Sequence, residues 1–68
     1  MPKLTLKAAR VNTGLSQKEA AKKLKVSNKT LSNWEKGTTM PRPNKIDAIC
    51  ELYGVSYDVL IFLPTKSA

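Results

Sequence analysis

Residues 17–36 read QKEAAKKLKVSNKTLSNWEK, and this stretch decides the fold. Its apolar residues are Ala20, Ala21, Leu24, Val26, Leu31 and Trp34. Ala20, Ala21 and Leu24 stand at i, i+1 and i+4, so they share one face of a short helix. Leu31 and Trp34, three apart, mark the inner side of a second helix. Only Lys25-Val26-Ser27 joins them. Two short helices with so brief a joint must cross at an angle, closing on the small Ala20 and Ala21. That is a helix-turn-helix.

Ser16-Gln17-Lys18-Glu19 fits the capping box that starts a helix, and Ser27 is an N-cap for the next, which Gly37 ends. Upstream, Thr5 caps a helix running to Asn12 or Thr13, with Gly14 as its left-handed stop and Leu6 and Ala9 facing inward. Thr38 to Pro43 is a loop, because two prolines break helical hydrogen bonding. A fourth helix begins near Asn44, with Ile46, Ile49, Cys50 and Tyr53 on one stripe and Gly54 at its end. Ser56 caps a fifth, with Asp58 in its first turn, and Pro64 stops it. The expectation is a compact all-α domain of five helices over residues 1–63, with 64–68 a short tail.

At 68 residues the chain is one domain, near the lower limit for a core without staples. One cysteine and no histidine exclude an internal disulfide and a cysteine–histidine metal site. A reducing, cytoplasmic setting follows as an expectation. No apolar run reaches transmembrane length, and MPKLTLKAAR lacks a signal-peptide core. Paired carboxylates at a catalytic spacing, a Gly-rich phosphate loop and a metal or cofactor set are likewise missing from the pattern, which argues against an enzyme.

The formal charge is +7, unevenly placed. Residues 1–45 hold eleven Lys and Arg against Glu19 and Glu35, or +9. Residues 46–68 carry Lys66 against Asp47, Glu51 and Asp58, or −2. The positive half holds the helix-turn-helix, as a polyanion-binding face would. A merely solvated surface would look the same by charge alone.

With Leu31 and Trp34 inward, the outward residues of the third helix are Asn28, Lys29, Ser32, Asn33 and Lys36. Residues near the start of a helix laid in the major groove reach base edges. Asn pairs bidentately with adenine and Lys donates to guanine. Asn28, Lys29 and Asn33 are therefore the candidate base readers, with Thr30 and Ser32 beside them. Phosphate contacts come from helix starts and flanking residues, here Ser27 and Lys36. Trp34 could stack on a base, but its spacing from Leu31 assigns it to the core. Cys50 on its stripe reads as a small hydrophobe rather than a reactive thiol.

An ordered set of residues resembles the lambdoid phage repressor and Cro family of Xre-type helix-turn-helix domains. It comprises Leu6, Arg10, Gly14-Leu15-Ser16-Gln17, Glu19, Ala21 and Leu24, then Val26-Ser27, Thr30-Leu31, Trp34-Glu35, Gly37 and Pro41. Leu52, Gly54-Val55-Ser56, Asp58 and Leu60 continue it, so it spans roughly residues 4–61. Two positions depart from the pattern. Lys25 stands where glycine is usual in the turn, and Ala20 where a larger aliphatic is common. The resemblance implies that Gln17 grips a phosphate and that Thr38, Thr39, Met40 and Arg42 form a second backbone clamp. It also pairs Glu35 with Arg10, giving a partner to an acid that the helix dipole disfavours near a C-terminus.

Val59-Leu60-Ile61-Phe62-Leu63 holds more apolar residues than one short helix buries on a single side. An exposed remainder suggests a second copy of the chain, through Tyr57, Val59, Phe62 and Leu63, the alternative being a monomer whose small core the run simply caps. The function implied is a sequence-specific regulator of transcription, acting as a repressor on double-stranded DNA as a homodimer on a palindromic operator. An antitoxin that binds a toxin protein on the same scaffold is the alternative.

Overall fold

The computed structural model describes residues 3–62, so Leu63 and the expected tail 64–68 lie outside the described residues. Four α-helices are formed there: α1 Leu6–Asn12, α2 Gln17–Leu24, α3 Asn28–Lys36 and α4 Pro43–Tyr53. Two short strands, β1 Leu4–Thr5 and β2 Leu60–Ile61, pair in parallel with Leu4 opposite Leu60 and Thr5 opposite Ile61.

The expected fifth helix is not an α-helix. Ser56 leads into a single 3-10 turn, Tyr57–Val59, and the chain then extends into β2. Ser56 supplies no cap to the turn's backbone, because its hydroxyl donates to the Asp58 carboxylate instead. Pairing with β1 satisfies the extended backbone and sets Leu60 into the core beside Leu6 and Ala9. The fold is therefore four helices with a two-stranded clasp rather than five helices.

Local chemistry starts and stops the other elements. Thr5 Oγ1 accepts from the Ala8 N–H at 3.1 Å, and Ser16 and Glu19 form the reciprocal box at 3.1 and 2.9 Å. Ser27 Oγ accepts from the Thr30 N–H at 3.0 Å. α4 starts one residue earlier than expected, with Pro43 in its first turn, where the absent N–H costs nothing. Gly37 and Gly54 end α3 and α4 with φ of 81° and 66°.

The turn between α2 and α3 does the same with a lysine. Lys25 sits at φ 59°, ψ 42°, the left-handed region that costs a side chain about 1–2 kcal/mol. The geometry recovers two carbonyls: the Lys25 N–H reaches Lys22 at 3.1 Å and the Val26 N–H reaches Ala21 at 3.0 Å. Val26 then packs against the core. From α4, Lys45 donates its Nζ to the Leu24 carbonyl at 2.8 Å, closing another orphan acceptor at the same helix end.

The core joins all four helices and β2 through Leu6, Ala9, Ala20, Ala21, Leu24, Leu31, Trp34, Ile49, Tyr53 and Leu60. Ala20 is 0 % exposed, so the small side chain at this departure from the family pattern is fully enclosed. Leu31 and Ile49 are the largest side chains removed completely from water, each contributing about 1.5–3 kcal/mol. Trp34 is buried beside them, a frame residue for α3.

Candidate nucleic-acid interface

Leu31 and Trp34 fix which side of α3 stays outside. Asn28 and Lys29, in its first turn, are exposed, as is Lys36 at its end. Ser32 and Asn33 are half-buried, at the margin of that side. Thr30 is half-buried too, and its hydroxyl lies 2.8 Å from that of Ser27. Ser27 and Thr30 thus engage each other, and the Ser27 hydroxyl also caps α3.

Beside α3 opens a groove whose walls come from three helices. Lys7 and Arg10 of α1, Ser16 and Gln17 at the start of α2, and Ser32, Glu35 and Lys36 of α3 line it. It brings Gln17, Ser32 and Lys36 together, three residues that the sequence reading assigned separately to DNA. Lys7, which could add charge to the phosphate contacts, belongs to the same groove, as does Ser16, which was not among the candidate contacts. Lys7 lies one helical turn before Arg10, and that spacing sets the two on one face of α1.

A polar cluster forms the groove's floor. Arg10 Nε donates to Glu35 Oε2 at 2.7 Å, and its Nη2 donates to Oε1 at 3.3 Å, a two-pronged pair. Arg10 Nη1 donates to the Leu15 carbonyl at 2.9 Å, tying the α1–α2 connection into the cluster. Gln17 Nε2 donates to Glu35 Oε1 at 3.2 Å. Hydrogen bonding to Glu35 holds the Arg10 guanidinium above its ordinary pKa, with burial working the other way. Behind the pair, the Tyr53 hydroxyl is buried without a hydrogen-bond partner among the described residues. Burial first, and then the Glu35 carboxylate, push this phenol up to about 12, with Arg10 opposing.

Thr38, Thr39 and Met40 follow α3 as an exposed loop, with Met40 53 % exposed. The Thr38 and Thr39 N–H groups turn back to the Asn33 carbonyl at 2.9 and 3.4 Å, so the loop's first two backbone donors are already engaged. Arg42 is exposed and makes no ion pair among the described residues.

Away from this face, Tyr57 is 58 % exposed, whereas Val59 and Phe62 are half-buried. The Tyr57 and Phe62 rings meet with centroids 5.9 Å apart. Ile61, in β2, is 39 % exposed and was not among the candidate contacts between copies. Among the described residues, no group of three or more potential ligands could hold a metal ion. No described helix is long and apolar enough to cross a membrane.

Comparison with known proteins converges on the same architecture. A family model described as helix-turn-helix matches residues 6–60. The chain is similar to the HTH-type transcriptional regulator ImmR of Bacillus subtilis (strain 168), with 43 % identity over 56 residues. That match covers 82 % of this chain and 44 % of the relative, so the chain spans less than half of that protein's length. With the capped α2–α3 pair and its left-handed joint in place, the chain belongs to the helix-turn-helix family of the repressor and Cro type.

Proposed function

We propose that this chain is the DNA-binding part of a transcription regulator, a repressor that inserts α3 into the major groove of a specific operator. The observation that carries the reading is the two-sidedness of α3. Its inner side is locked by Leu31 and Trp34, while Asn28 and Lys29 stand free at its N-terminal end in the positively charged half. Asn28, Lys29 and Asn33 read base edges, with Thr30 and Ser32 adjoining. Gln17, Ser27, Lys36, Thr38, Thr39, Met40 and Arg42 hold the phosphate backbone on either side. The similarity to a protein named as a transcriptional regulator supports the same reading.

The operator in this proposal is palindromic and the protein binds it as a homodimer. The apolar surface at Tyr57, Val59 and Phe62 is the contact between copies, and half-sites lie about 10–10.5 bp apart. Among the described residues, no feature favours a toxin-binding role.

Selecting sites from random duplex DNA at fixed salt tests the proposal. A recovered consensus with twofold symmetry is expected. Asn33→Ala should then weaken binding to that consensus by about 1–3 kcal/mol while leaving unrelated duplex nearly unchanged. An equal loss on every sequence would remove the base-reading role. Sedimentation with and without the operator checks the dimer, and a strict monomer on DNA would reject it.

A further inference from the structure

Glu35 is the one acid lining the groove, where a bound polyanion would meet a like charge. Arg10 accounts for both of its oxygens, yet Oε1 also accepts from Gln17 Nε2 at 3.2 Å. A carboxylate cannot accept from an amide carbonyl. The bond therefore decides which end of the Gln17 side chain turns inward, and it uses one of that amide's two N–H protons. The second proton is left for an acceptor outside. The Ser16 hydroxyl takes the Glu19 N–H, so those of Gln17 and Lys18 also remain open in the first turn of α2.

We propose that Glu35 is a positioning residue for Gln17: it holds the amide donor-outward, ready for a phosphate oxygen, and links that grip to α3 and α1. This rests on the DNA-binding reading above. The physical gain is that a flexible three-bond side chain is ordered before binding, which removes an ordering cost on association. Arg10 is what makes the arrangement tolerable, because its guanidinium offsets the carboxylate that a phosphate would otherwise meet.

The test is a double-substitution cycle on the selected duplex, comparing wild type, Gln17→Ala, Glu35→Gln and the pair. Gln17→Ala should weaken binding about tenfold, and Glu35→Gln should add less than about twofold once Gln17 is gone. Additive losses on a duplex that wild type binds would overturn the positioning role alone. A wild-type chain that binds no duplex would overturn the DNA reading and this proposal with it.

Loss of the ion pair could unfold Glu35→Gln, so a second measurement uses the unaltered chain. In its NMR spectrum the Gln17 side-chain amide should show protons in contact with the Glu35 methylenes and slowed exchange. A freely rotating, rapidly exchanging Gln17 amide would overturn the proposal without any variant.

Discussion

Residues 17–36 are shaped mostly by partners a few positions away, whereas β2 is shaped by partners at the far end of the chain. In the α2–α3 pair, Ser16 bonds Glu19, Ser27 bonds Thr30, and Lys25 turns on carbonyls three and four residues back. Leu60 and Ile61 instead lie against Leu4 and Thr5. The first region can form early and cheaply. The second must close nearly the entire chain before its pairing contributes anything. The presenting helix is thus locally specified, and the clasp behind it is a product of the finished fold.

Arg10 is where the two regions meet, since α1 follows β1 directly and its guanidinium holds Glu35 of α3. Arg10→Ala leaves that carboxylate buried and unpaired, so the largest loss is expected here, about 3–5 kcal/mol by urea unfolding. Both regions should fail together, and a variant with an unchanged midpoint would show that the pair is not the link. Leu60→Ala should cost about 2–4 kcal/mol. Hydrogen exchange should then find α2 and α3 still the best protected, with the amides of β1 and β2 opening first. Equal loss of protection everywhere would erase the distinction between the regions.

Smaller effects probe the local side. Lys25→Gly removes the left-handed cost but adds backbone freedom to the unfolded chain, for a net gain of up to about 1 kcal/mol. A loss of stability on thermal unfolding would mean that the lysine side chain contributes more than the turn costs. Tyr53→Phe should change stability at neutral pH by less than about 1 kcal/mol, since it removes a hydroxyl that has no described partner. At high pH the two proteins should separate. The phenol is pushed from 10.0 up to about 12, so folding favours its neutral form. That contribution is intact below pH 10 and lost as pH rises from 10 towards 12. Wild type should therefore weaken more steeply across that window than Tyr53→Phe, as read by denaturant midpoints at each pH.

The division between local and long-range control also explains what could be read in advance. Ser16, Glu19, Ser27, Gly37 and Gly54 act on backbone groups within a turn, so their roles were visible as spacing. Trp34 could be assigned to the core because Leu31 stands one turn before it. The same logic misled at Ser56 and Asp58, where a valid helix start was overridden by a strand partner more than fifty residues away. At the groove, the outward side of α3 followed from its inner side. The bonds from Gln17 to Glu35 and from Lys45 to Leu24 did not, because they depend on how separate helices are set against one another. No residue spacing encodes that setting.

The parallel clasp has a mechanical consequence. Both strands run in the same direction, so tension applied before Leu4 and after Ile61 drags them past each other lengthwise. Their hydrogen bonds then carry the load together instead of opening one after another. Force spectroscopy through handles at the two ends should record one abrupt yielding event, while handles placed at Leu4 and Gly54 should bypass the clasp and extend the chain at lower force. Pulled from its two ends, the domain would in this way hold until the clasp shears, and the four helices would then extend with it.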